Sequence, residues 1–129
     1  MSGRFLLDTN ILIALFAADQ TVRHHLNEQG EFYVPVIALG ELYYGAMKSS
    51  RIDANIDRID SLAASSLLLG CDNQTSRHYG EIKKNLRVKG RPIPENDIWI
   101  AAVAKQHDLT VVSRDLHFTE VDSIRVEQW

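Results

Sequence analysis

An apolar run, Phe5-Leu6-Leu7, gives way abruptly to Asp8-Thr9-Asn10, and similar switches recur along the chain. Short apolar runs without strict alternation are separated by longer stretches of helical periodicity. Residues 5–7, 32–35, 66–70, 109–113 and 123–127 read as strands. "NILIALFAA" predicts a helix with Ile11, Leu15 and Ala18 on one face. "TVRHHLNEQG" predicts a short helix capped by Thr21 and ended by Gly30. Pro35 suits the first turn of a helix from Val36 to Ser49. Ile52, Ile56, Ile59 and Leu62 repeat at helical spacing, and Tyr79, Ile82 and Leu86 mark another helix that stops at "KGRPIP". A last helix runs from Glu95 to His107. Apolar strands alternating with helices predict an α/β fold: a short parallel sheet of four to five strands, covered by helices on both faces in three layers.

In such sheets ligands bind beyond the carboxyl ends of the strands. Asp8 stands where the first strand stops, and Asp115 follows a late strand in the same way. Asp97 falls in the first turn of the helix that follows a proline-containing loop. Glu41 lies in the second turn of the helix opened by Pro35, and helical side chains lean back toward the helix start. Four carboxylates from four distant segments therefore converge on one edge. Each also has a plain alternative. Asp8 and Asp97 suit helix capping, Asp115 a turn, and Glu41 a solvated helix position. The apolar neighbours Val36, Ile37, Ala38, Leu39, Leu42, Tyr43 and Tyr44 leave Glu41 little solvated surface. Four uncompensated carboxylates in one cleft would repel. A hard divalent cation, Mg²⁺ or Mn²⁺, resolves that and suits phosphodiester hydrolysis.

Composition narrows the setting. The 129 residues contain no repeat or linker-like stretch, which predicts a single domain over residues 1–129. No apolar run approaches the ~20 residues of a membrane span, and the N-terminus does not read as a signal peptide. Cys71 is the single cysteine, so an internal disulfide is excluded and a reducing, cytoplasmic setting is expected. The net charge of −3 does not advertise a nucleic-acid binder, but it hides a basic segment. Arg77, Lys83, Lys84, Arg87, Lys89 and Arg91 are interrupted by one acid, Glu81, and lead into the loop before Asp97. Arg87, Lys89 and Arg91 are the candidate RNA contacts, with a solvated helix face as the alternative. The five histidines lack zinc-site spacing; His117, close to Asp115, reads as a packing or solvent side chain, with a substrate contact as the alternative.

Taken together, "LLDTNILIAL", "VPVIALGELYYGA" and "GRPIPENDIWIAAVAKQHDLTVVSRDLHF" resemble the PIN-domain ribonucleases, and more narrowly the VapC toxins of type II toxin–antitoxin systems. The resemblance runs from the first strand to the last. It implies a metal-dependent endoribonuclease with Asp8, Glu41, Asp97 and Asp115 as its acidic set, and Asp8 and Asp97 as metal ligands. Asp115 occupies a position where many relatives carry asparagine. Thr9, Asn10 and Ser113 match polar positions that orient ligands or touch substrate, although local turn and cap bonds explain them equally well. The resemblance also implies an RNA substrate, a cognate VapB-like antitoxin that blocks the groove, a homodimer and a toxin–antitoxin hetero-oligomer. A haloacid-dehalogenase-type phosphohydrolase also starts with a strand-end aspartate, but needs a second one where Asn10 stands. A receiver-like, non-catalytic Mg²⁺-binding module would want an acidic pair beside the first strand and a late lysine, and neither is evident. A PIN fold used only as a binding scaffold fits poorly with four retained acids.

Overall fold

The computed structural model describes residues 3–129. Five strands, β1 (Gly3–Leu7), β2 (Gly30–Pro35), β3 (Leu67–Leu69), β4 (Thr110–Val112) and β5 (Arg125–Glu127), form one sheet. The order is β3-β2-β1-β4-β5, and every pairing is parallel. Six helices connect them: α1 (Thr9–Phe16), α2 (Gln20–Leu26), α3 (Val36–Met47), α4 (Ile52–Ser65), α5 (Asn73–Lys89) and α6 (Glu95–His107). The expected three-layer α/β architecture is what forms.

Strand periodicity sorts the core into two halves. Leu6 and Val111 point to a cluster built on Ile82 and Leu86 of α5 and Ile98, Ile100 and Val103 of α6. Their strand neighbours Leu7 and Val112, with Val34, face α1 to α4, meeting Ile11, Leu12, Leu39, Leu42 and Ile59. Both faces are covered, which explains why the strands read as unbroken apolar runs. Each fully buried Leu or Ile contributes roughly 1.5–3 kcal/mol relative to exposure.

The chain winds from β1 outward to β2 and β3, then crosses to β4 and β5 on the other side. The switch of direction falls between β1 and β4, paired Phe5 to Thr110, Leu6 to Val111 and Leu7 to Val112. At such a switch the loops leaving the two strands diverge and open a crevice. Asp8 leaves one strand and Ser113 the other, tied by Asp8 N–H donating to Val112 O at 3.0 Å.

Local differences from the sequence reading concern helix ends. Asp19, not Thr21, caps α2, accepting from Val22 N–H at 3.1 Å. That helix ends at Asn27, and Gly30 opens β2. α1 stops at Phe16, so Ala18 sits exposed in the following turn with φ 58°, off the apolar face that holds Ile11. A short 3₁₀ turn, Leu116–Glu120, follows Asp115. It plugs the buried Phe118 into the α6 side of the core. Gly90 ends α5 in the left-handed conformation, φ 68°, where the absence of a side chain removes the steric penalty.

Candidate active site

Asp8 stands at the first position before α1, yet its side chain makes no capping hydrogen bond to that helix. It turns across the switch point instead. Its Oδ2 accepts from the Ser113 hydroxyl at 2.8 Å and from Asn10 Nδ2 at 3.3 Å. Asn10 Nδ2 also reaches Ser113 Oγ at 3.1 Å, and Asn10 Oδ1 accepts from Arg114 N–H at 3.1 Å. Ser113 is fully buried and also accepts from Asp115 N–H at 3.0 Å. Asn10 and Ser113 thus stitch the two loops together and fix the carboxylate of Asp8, which is only 5% exposed.

The other three acids arrive as their elements dictate. Asp97 is half-buried in the first turn of α6, Asp115 precedes the 3₁₀ turn, and Glu41 reaches over from α3. Glu41, Asn96, Asp97, Asp115 and His117 line one open cleft of about 410 Å³. Burial pushes the Asp8 carboxyl above the ordinary range; the Ser113 hydroxyl and Thr9 N–H pull it back, and the charges of Asp97 and Asp115 raise it again. Burial also raises Glu41, with the charge of Asp8 adding to it. Asp97 is raised by burial and partly relieved by His117. Asp8, Glu41 and Asp97 are thus each raised further by the charge of at least one other acid of the set.

Two oxygens at this edge, Glu41 Oε1 and Thr9 Oγ1, are buried without a hydrogen-bond partner. A buried carboxylate oxygen without a partner is costly, and a hard cation with bound water would satisfy it. The donor set, mostly carboxylate oxygen, fits such an ion. The sequence favoured packing or solvent for His117, whereas the structure sets it against two of the acids. Its Nδ1 lies 2.8 Å from Asp97 Oδ2 and 3.1 Å from Asp115 Oδ1. The signal available was its spacing of two residues from Asp115, which a tight turn brings back to the same side.

The basic segment lies on α5 and the loop after it. Lys83 is held by Glu95 at 2.7 Å. Lys89 Nζ donates to Glu120 O at 2.6 Å and to Asp122 at 3.2 Å. Arg87 and Arg91 are exposed and, among the described residues, make no ion pair. Among the described residues no helix is long and apolar enough to cross a membrane.

Residues 5–124 match the PIN domain. The chain is 35% identical to ribonuclease VapC2 of Haemophilus influenzae, over 98% of each chain. It is 33% identical to the tRNA(fMet)-specific endonuclease VapC of Shigella flexneri, again over 98% of each. Its fold superposes, with a TM-score of 0.90 and 25% identity over 98% of both chains, on a chain in the structure of VapBC2 from Rickettsia felis bound to a DNA fragment from their promoter.

Proposed function

This chain belongs to the PIN-domain family, in its VapC ribonuclease branch, and we propose that it hydrolyses RNA phosphodiester bonds in the cleft above Asp8 and Asp97. It is an endoribonuclease of the toxin–antitoxin type. The observation that carries the assignment to this cleft is the convergence of four carboxylates on the β1–β4 switch point, where one carboxylate oxygen, Glu41 Oε1, is buried without a partner.

Asp8 and Asp97 would hold a divalent cation, Mg²⁺ or Mn²⁺, with Asp115 completing the set. When bound, the ion supplies neutralisation of phosphate charge and a more acidic bound water. Ser113 and Asn10 keep Asp8 aimed at the cleft. Glu41 lines the same cleft from α3, with its carboxyl raised by burial. No side chain serves as nucleophile. Arg87 and Arg91 supply positive charge for the RNA backbone, while Lys89 is largely committed to Glu120 and Asp122. We assign transfer RNA as the substrate class by analogy with the Shigella relative, and a VapB-type antitoxin as the partner that covers the cleft. A homodimer of one PIN domain per chain, within a toxin–antitoxin assembly, completes this reading.

The test is cleavage of an initiator transfer RNA transcript by protein stripped of metal. Activity is expected to be absent in EDTA, to return with Mg²⁺ or Mn²⁺, and to stay absent in Asp97→Asn. Full activity in chelator, with elemental analysis showing no metal, would overturn the metal-dependent reading.

A further inference from the structure

The side chain of His117 is held by the site rather than by solvent. Phe118, fully buried beside it, anchors the 3₁₀ turn, and His117 N–H donates to Asp115 Oδ1 at 3.0 Å. The ring then turns its Nδ1 into the acidic cleft, while the rest of the side chain stays part-exposed. Donor atoms of Asp97, Asp115 and His117 all lie within 4.8 Å of one another. Resting on the reading that this cleft binds a divalent cation, we propose that His117 Nδ1 is itself a ligand of that cation, beside Asp97 and Asp115. Its consequence is selectivity: the site favours ions that accept nitrogen, such as Co²⁺, Ni²⁺ and Zn²⁺, more strongly than an all-oxygen site would.

Two physical points support this. Neighbouring ligands of an octahedral ion with bonds of about 2.1 Å are separated by roughly 3.0 Å. The observed separations of Nδ1 from Asp97 Oδ2 and Asp115 Oδ1, 2.8 and 3.1 Å, match that edge. The third pair, between the two carboxylates, lies within 4.8 Å. Imidazole nitrogen also suits the later first-row metals, whereas Mg²⁺ strongly prefers oxygen. The rival role is a brace, in which His117 only positions the two carboxylates by hydrogen bonding.

Ligand and brace separate in binding experiments that need no RNA. The probes are Mg²⁺, Mn²⁺ and Co²⁺, each titrated calorimetrically into the metal-free full chain, its His117→Ala and His117→Gln variants, and Asp97→Asn. The expected result is a loss of Co²⁺ affinity of at least about tenfold in both His117 variants, with Mg²⁺ affinity changed by less than about threefold. Electron spin-echo spectra of the Mn²⁺ complex are expected to show a directly bound nitrogen in the wild type that disappears in His117→Gln. Equal losses for Mg²⁺ and Co²⁺, without the nitrogen signal, would establish the brace and overturn the proposal. Unchanged affinities would overturn it as well. If the wild type bound none of the three ions, or Asp97→Asn bound them normally, the metal reading of the whole cleft would fall with it. Melting curves in chelator check that the variants fold; His117→Gln keeps a hydrogen-bonding side chain and carries the test if His117→Ala does not fold.

Discussion

Asp8 and Asp72 occupy the same local position, one residue ahead of a helix, and have opposite fates. Asp72 does what an aspartate there ordinarily does. Its Oδ1 accepts from Gln74 N–H at 2.9 Å, from Thr75 N–H at 3.1 Å and from Gln106 Nε2 at 2.9 Å. Its own N–H donates to Thr75 Oγ1, closing a capping box at the start of α5. These bonds, led by that from Thr75 N–H, hold its carboxyl below the ordinary range. Asp8 leaves its helix uncapped, lies buried, and is pushed above that range. A carboxylate whose demands are met locally is structural. One whose desolvation is left unmet, beside other unmet carboxylates, is poised for a ligand.

The sharpest way to break that contrast is to exchange the charges for neutral groups. Asp8→Asn is expected to lower transfer RNA cleavage by more than about 100-fold, the scale of losing one electrostatic contact to the transition state. It should leave the metal-free protein as stable as the wild type, or more stable by about 1 kcal/mol, because one member of a repelling set is gone. It should also remove most of the stabilisation conferred by added Mn²⁺, which arises only through binding to the native state. Asp72→Ala should do the reverse: near-normal cleavage, unchanged metal response, and a melting temperature lower by roughly a few degrees for a lost cap. Cleavage assays and melts with and without Mn²⁺ decide. Similar behaviour of the two variants would mean the contrast has no functional content.

That contrast also marks where the sequence stopped being legible. The strands, the helices and the parallel arrangement followed from apolar periodicity, because each element presents a core face that the pattern records. The four acids could be drawn to one edge because strand ends and early helical turns fall there in this topology, Glu41 leaning back from the second turn of α3. Whether Asp8 capped its helix was not written locally, since the deciding partner, Ser113, is 105 residues away. Asp19 displaced Thr21 as a cap for the same kind of reason: Arg114, distant in sequence, pairs with Asp19 at 2.9 Å and holds it at the head of α2. The turn of His117 into the site depended on the 3₁₀ geometry after Asp115, which short motifs do not specify. Charge on α5 was visible, but not that Lys83 and Lys89 would be engaged by Glu95, Glu120 and Asp122.

A second, smaller effect sharpens the comparison through pH. Asp8, Glu41 and Asp97 all have folded-state values raised, first by burial. Over the interval above about pH 4, where these groups would ionise in the unfolded chain, the native state binds more protons. Their contribution to stability is therefore fully present below that interval and lost as pH rises through the raised values. Asp72 has the opposite sign: its contribution is present above about pH 4 and lost as pH falls through its lowered value. In chelator, the wild type is expected to lose stability relative to a double variant, Asp8→Asn with Asp97→Asn, as pH rises above the ordinary carboxylate range, and saturating Mn²⁺ should erase that difference. Thermal melts across this rise in pH measure it. Parallel curves for the two proteins would show that the carboxylates do not share a field.

The smallest effect concerns the helix that Asp72 starts. Its first turn is structural, but its far end carries Arg87, and Arg91 follows at the loop leading to Asp97. Neither makes an ion pair among the described residues, so both are available to phosphate. Lys89 is different: its ammonium is held between Glu120 and Asp122, at 2.6 Å from the Glu120 carbonyl. Each phosphate neutralised releases counterions, with a slope of about 0.7–0.9 per contact in the dependence of log affinity on log salt. Arg87→Ala with Arg91→Ala is accordingly expected to flatten the slope for transfer RNA by between about 1 and 2, measured with a cleavage-dead Asp97→Asn background so that binding alone is read. Lys89→Ala should leave the slope nearly unchanged, because an ammonium already paired within the protein contributes little to counterion release. Equal flattening by Lys89→Ala would mean that Lys89 leaves its internal partners for the RNA, and an unchanged slope in the arginine pair would make this end of α5 a solvated face, no more functional than the end Asp72 caps.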